Sequence, residues 1–220
     1  MSRVDYRLNA IVDGSLRNIA DLAELARIAA QNGATIVQYR DKKAGSRELV
    51  EQAMAIRTAL AGTGVPLVVN DRVDVALAAG ADGVHLGRDD LDAKTARRLL
   101  GPEAIIGLTV KNEADADAAL AVPVDYACIG GVFETLSKLN PDPPVGLDGF
   151  ALLRSRMRSA CPDMPVGAIA GIDLARASQV IRAGASGVAM ISGIFRAPDI
   201  AAATQAMRRA VDAALKEHQK

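Results

Sequence analysis

At 220 residues the chain has the size of one domain with a large core. Half of it is apolar, yet it holds three Tyr, three Phe and no Trp, and Lys+Arg and Asp+Glu balance at 26 each. A neutral, aromatic-poor chain lacks the basic face or stacking platform of a nucleic-acid binder, and no apolar run approaches the roughly 20 residues that cross a bilayer.

Short apolar runs alternate with amphipathic stretches from end to end. Residues 8–12 read as a strand and 21–31 as a helix stopped by Asn32-Gly33. Strand 35–39 precedes helix 47–60, and strand 65–69 precedes a short helix over 73–79 closed by Gly80. Strand 83–86 leads to helix 93–100, strand 104–108 to helix 113–121, and strand 126–129 to helix 150–159. Strand 166–169 with helix 174–183, then strand 187–191 with helix 200–216, complete the series.

Eight β–α pairs in this length predict a single-domain (β/α)8 TIM barrel over residues 1–220. The other arrangement of such pairs is an open doubly wound sheet. However, no Gly-x-Gly-x-x-Gly follows the first strand, which runs into Asp13-Gly14-Ser15 instead. Ala79-Gly80-Ala81-Asp82-Gly83-Val84 is echoed by Ala183-Gly184-Ala185-Ser186-Gly187-Val188, in each case a helix-stopping glycine and a turn into a strand. The segment 130–149 is too long for an ordinary βα connection and reads as an active-site flap. Met-Ser-Arg-Val-Asp-Tyr carries no apolar signal core, and Cys128 and Cys161 lack metal-type spacing. The expectation is a cytoplasmic protein with buried, reduced thiols.

In a barrel the C-terminal strand ends converge on one site. Val68-Val69 breaks into Asn70-Asp71, and Gly83-Val84-His85-Leu86 breaks into Gly87-Arg88-Asp89-Asp90. Asp71 and Asp90, at the ends of neighbouring strands, suit a hard cation such as Mg²⁺, although either could instead cap the following helix. Period-two alternation through Gln38-Tyr39-Arg40-Asp41-Lys42 puts Gln38, Arg40 and Lys42 on one side. Thr109 and the flap residues Thr135, Ser137 and Lys138 add hydroxyls and a cation, a set suited to a magnesium-bound polyphosphate. His85 alone reads first as a satisfied barrel-interior histidine. Backbone N–H groups around Gly171 and around Ile191-Ser192 suit a monophosphate, so two phosphorylated substrates are expected.

Gln38-x-Arg40-x-Lys42, Asn70-Asp71-Arg72, Gly83-Val84-His85-Leu86-Gly87-x-Asp89-Asp90, Ile106-Gly107-Leu108-Thr109, Gly130-x-Val132-Phe133-x-Thr135-x-Ser137-Lys138 and Ala168-Ile169-Ala170-Gly171-Ile172 resemble the thiamine phosphate synthase family, in its order and over nearly the whole chain. The resemblance implies an enzyme that joins hydroxymethylpyrimidine diphosphate to thiazole phosphate by a dissociative displacement. It implies that Gln38, Arg40, Lys42, Asn70, Thr109 and Lys138 hold the pyrimidine diphosphate; Tyr39 and Asp41, between them in the same run, are expected to bind substrate as well. Arg40, Lys42, Thr109 and Lys138 would be the catalytic groups, Asp71 and Asp90 the Mg²⁺ ligands. Thr135, Ser137, Gly171, Ile191 and Ser192 would hold the thiazole phosphate. The chain departs from the family pattern at Arg88, where Gln is usual, and at Ala170, where the family carries the first of two glycines. A thiazole tautomerase-like or non-catalytic barrel relative is the alternative, and homo-oligomerisation is left open.

Overall fold

The computed structural model describes residues 4–135 and 143–218. Its strands are β1 (Leu8–Asp13), β2 (Ile36–Arg40), β3 (Leu67–Asn70), β4 (Gly83–Leu86), β5 (Ile105–Val110), β6 (Tyr126–Ile129), β7 (Val166–Ile169) and β8 (Gly187–Met190). A 3₁₀ turn (Gly14–Asn18) follows β1, and the helices are α1 (Leu22–Gln31), α2 (Ser46–Ala59), α3 (Val73–Ala79), α4 (Ala93–Leu100), α5 (Glu113–Leu120), α6 (Gly146–Ala160), α7 (Leu174–Arg182), α8 (Ser192–Phe195) and α9 (Ile200–His218). Each strand pairs in parallel with its neighbour in sequence, and β8 closes on β1. The predicted (β/α)8 barrel is what the chain forms.

Local chemistry fixes most of the boundaries. Asp21, Asp92, Asn112 and Asp173 each accept a backbone N–H from the first turn of α1, α4, α5 and α7, satisfying donors that the helix itself cannot. Gly80 ends α3 in the left-handed conformation (φ 64°), where a side chain would be strained.

Alternation sorts the strand side chains into two cores. Leu8, Val12, Val37, Tyr39, Leu67, Val69 and Val84 face the helices, whereas Tyr6, Ile11, Ile36, Val68, Tyr126, Cys128 and Ala189 pack inside the barrel. Two glycines make room for two interior rings. A Cβ on Gly107 would lie 2.0 Å from the Tyr126 ring, and one on Gly167 would lie 1.8 Å from the Tyr6 ring. The rings meet at 4.8 Å between centroids, and Tyr6 floors the space beneath the mouth.

Three expectations are corrected. Helix α6 starts at Gly146 rather than Phe150, because the N–H groups of Val145 and Gly146 bond the carbonyls of Gly131 and Val132 and tie both ends of the flap together. Strand β8 stops at Met190, and the short α8 turns directly out of it. Cys161, just after α6, is exposed; only Cys128 is buried, and both are free thiols. Among the described residues no helix is long and apolar enough to cross a membrane.

Candidate active site

The site is assembled from strand ends. Gln38, Arg40, Asn70, His85 and Thr109 line a cavity at the C-terminal mouth, together with Thr135, Gly171, Ile191 and Ser192. Its lower wall is apolar, formed by Ile11, Cys128 and Ile169 above Tyr6. A polar rim over an apolar base suits a ligand with a flat ring and a charged end.

Arg40 is not a bare cation. Its Nη1 donates to Asp13 at the end of β1, register partner of Arg40 itself. Burial alone would raise the Asp13 carboxyl, but the Ser15 N–H and the Arg40 guanidinium outweigh it and hold it below the ordinary carboxylate range. Arg40 is thereby aimed at the mouth with part of its fork engaged. Lys42 is mostly exposed and donates to Asp71.

Asp71 and Asp90 form the acidic part of the rim. Asp71 has φ 64°, in the left-handed region, and its N–H bonds the His85 carbonyl at 2.8 Å. It does not cap α3, whose N-cap is Arg72 without a side-chain bond. Asp90 accepts the Gly87 N–H at 2.7 Å, while Asp92 caps α4. Burial raises the Asp90 carboxyl, and the neighbouring Asp71 carboxylate raises it further; the Gly87 N–H and Lys42 oppose them. Like charges held together against their own repulsion form a ready pair of hard oxygen donors. Mg²⁺ commonly takes one or two carboxylates and completes its shell with water and phosphate oxygens. The pair fits such an ion, and no group of three or more His, Cys, Asp or Glu suited to a metal occurs among the described residues. Arg88 is turned toward α5, where it bonds Asp115 twice at 2.9 Å.

Opposite the acidic rim lies a turn built for close approach. Gly171 has φ +63°, and a Cβ on it would lie 2.3 Å from the Glu134 carbonyl oxygen. The flap stem is pinned to this turn: Val132 N–H bonds Ile169 and Phe133 N–H bonds Ala170. Arg176 fastens it from outside, donating to the Gly171 carbonyl at 2.7 Å and stacking 4.6 Å from the Phe133 ring centroid. Ser192 and Gly193, at the start of α8, face the same end of the cavity.

The structure thus brings together Gln38, Arg40, Asn70, Thr109, Thr135, Gly171, Ile191 and Ser192, with Lys42, Asp71 and Asp90 gathered on the rim beside Asn70. It does not bring Tyr39 or Asp41 to the mouth. Tyr39 is buried in the helix-facing core, and Asp41 accepts the N–H groups of Lys43 and Ala44 and pairs with Arg17. Ser137 and Lys138 lie outside the described residues. Sequence reasoning missed Lys111, which lines the cavity two residues beyond Thr109; the alternation used for β2 would have found it. It also missed Asp13, the partner of Arg40, and Tyr126, whose hydroxyl lies 3.0 Å from His85 Nδ1.

Cations, amides, hydroxyls and backbone N–H groups dominate this mouth, which marks the chain as a phosphate-handling barrel enzyme. Comparison with known proteins agrees. The thiamine monophosphate synthase family profile matches residues 8–194. A thiamine-phosphate synthase of Agrobacterium fabrum is 68% identical over 219 residues, covering 100% of both chains. One from Chloroflexus aurantiacus is 40% identical over 208 residues, covering 94% of each. The solved thiamine phosphate pyrophosphorylase of Pyrococcus furiosus superposes with a TM-score of 0.82 at 33% identity, covering 97% of this chain and 98% of its own. The chain belongs to the thiamine monophosphate synthase family, transferases of thiamine biosynthesis.

Proposed function

We propose that the chain joins a pyrimidine methyl diphosphate to a thiazole phosphate in the presence of Mg²⁺, with each substrate at its own end of the cavity. The observation that carries this reading is the Asp71–Asp90 pair beside Lys42, facing across the mouth from the Gly171 turn. The pyrimidine ring would enter the apolar base, with Gln38 and Asn70 at its edge and its diphosphate against Arg40, Lys42 and Thr109. The thiazole phosphate would sit on Gly171, Ile191 and Ser192, with Thr135 beside it.

The chemistry asks little covalent help from the protein. The bond from the methylene carbon to the diphosphate oxygen breaks, electrons from the ring's amino group support the cation left behind, and the thiazole nitrogen lone pair closes the new C–N bond. Diphosphate leaves with the bonding pair. Arg40 and Lys42 face charge that grows as that bond breaks, so their contacts strengthen in the transition state. Lys138, on the flap, would act in the same way. Asp71 and Asp90 would hold Mg²⁺, which when bound neutralises diphosphate oxygens. The cavity walls hold the two reacting atoms in line and exclude water from the cation.

Incubating the purified protein with both substrates, with and without Mg²⁺, tests the reading. Thiamine phosphate and diphosphate are expected in equal amounts, and only with Mg²⁺. No product with both substrates and Mg²⁺ present would overturn the reaction, and full product under chelation would overturn the metal's part in it.

Ala170 tests the phosphate turn gently. Its φ of 90° is a conformation L side chains rarely adopt. Relieving it is worth about 1–2 kcal/mol, offset by roughly 0.4–1 kcal/mol of extra freedom that glycine brings to the unfolded chain. Ala170→Gly is therefore expected to keep or slightly raise the melting temperature and to leave thiazole phosphate affinity, measured by calorimetry, unchanged or modestly tighter. A loss of affinity of about tenfold (~1.4 kcal/mol) would mean that the alanine methyl contributes a contact.

A further inference from the structure

We propose that Tyr126 is a positioning residue: from inside the barrel its hydroxyl fixes His85 as the Nε2–H tautomer and so makes the Thr109 hydroxyl a donor to the bound substrate. The role for the substrate rests on the reaction proposed above; the tautomer does not.

Both ring nitrogens of His85 are engaged, Nδ1 with Tyr126 Oη at 3.0 Å and Nε2 with Thr109 Oγ1 at 2.9 Å. A neutral imidazole has one donor and one acceptor, so only two arrangements exist. If Nδ1–H donates to Tyr126, the phenol proton needs another acceptor. Tyr126 is fully buried, and His85 is the one hydrogen-bond partner its hydroxyl has among the described residues. That arrangement would leave a buried O–H unmade, a cost the structure has no means to offset. In the other arrangement Tyr126 donates to Nδ1, Nε2–H donates to Thr109, and the one proton left over belongs to the Thr109 hydroxyl, which lines the cavity rather than the closed core. Burial also raises the Tyr126 phenol well above its ordinary range, so it keeps the proton it donates.

The consequence reaches the mouth. With Nε2–H donating to Oγ1, Thr109 cannot donate back to the ring and must send its own proton elsewhere. Its side chain lines the cavity alongside Gln38 and Asn70. Thr109 thus has a proton to offer a substrate acceptor, a phosphate oxygen or an unprotonated ring nitrogen.

The chain holds only two histidines, His85 and His218, so ¹⁵N spectra of the imidazoles can be assigned by substitution. At neutral pH, His85 is expected to show a protonated Nε2 and an unprotonated, hydrogen-bonded Nδ1. Tyr126→Phe is expected to shift the Nδ1 resonance and to lower kcat roughly tenfold, the size of one neutral hydrogen bond. Because Tyr126 acts through Thr109, the double variant Y126F/T109V is expected to be no slower than T109V, within about the threefold error of such cycles. An Nδ1–H ring or an imidazolium in the unsubstituted protein would overturn the proposal, and so would effects of the two substitutions that multiply. If Y126F does not fold, the spectrum of the unsubstituted protein alone decides the tautomer. If no synthase activity is found, the spectrum still separates failure of this inference from failure of the proposed reaction.

Discussion

Replacing Asp71 or Asp90 by asparagine is expected to lower turnover at least about a hundredfold while leaving the barrel folded, because a metal clamp on departing charge supplies several kcal/mol. Asparagine is the informative substitution. At Asp71 it tolerates the left-handed backbone (φ 64°), where alanine would add strain. At Asp90 it can still accept the Gly87 N–H. Asp90→Asn is also expected to melt no lower than the parent at neutral pH. The folded state raises this carboxyl, first by burial and then by Asp71, so the ionised group works against folding above its unfolded pKa. Any gain from the amide should therefore shrink as pH falls through the carboxylate range, where both states carry the proton. Thermal melts across that range, alongside rates at limiting Mg²⁺, check both expectations. A variant with near-parental rates under limiting metal would show that these carboxylates do not hold it.

Gly171→Ala is expected to fail at the other end of the cavity. The new Cβ would lie 2.3 Å from the Glu134 oxygen and 2.8 Å from the Phe133 Cβ, at a φ of +63°. Strain of this kind costs about 1–3 kcal/mol before any clash is counted. The turn must retreat and take the flap stem with it, since Phe133 N–H is bonded to Ala170. Thiazole phosphate affinity is expected to drop by more than about tenfold (~1.4 kcal/mol), measured by calorimetry. Gly64→Ala is the control, with φ +72° and no heavy atom within 4 Å of the new Cβ. It should show strain without loss of binding. If Gly171→Ala binds as the parent does, the phosphate lies elsewhere.

The barrel was legible in the sequence because both of its periodicities are local. The same alternation that gathers Gln38 and Arg40 at the mouth turns Tyr39 and Asp41 away; expecting all five residues of the run to bind substrate went against it, and the structure sets these two apart. Whether Asp71 caps a helix or faces the mouth could not be read locally, since the answer depends on Lys42 arriving from another strand. His85 poses the same problem, because its partners Tyr126 and Thr109 come from β6 and β5. The start of α6 hid behind Gly-Leu-Asp-Gly, which reads as loop until the carbonyls of Gly131 and Val132 anchor it.

The tyrosine floor makes four positions inseparable. A methyl at 107 or 167 would occupy volume already filled by a ring from 126 or 6, so neither glycine can grow unless its tyrosine shrinks. Single-site mutagenesis would therefore score both glycines as immovable, whereas exchanges that move bulk from one partner to the other remain open. The depth of the cavity would then change across a lineage in paired steps, each member of a pair silent evidence of the other.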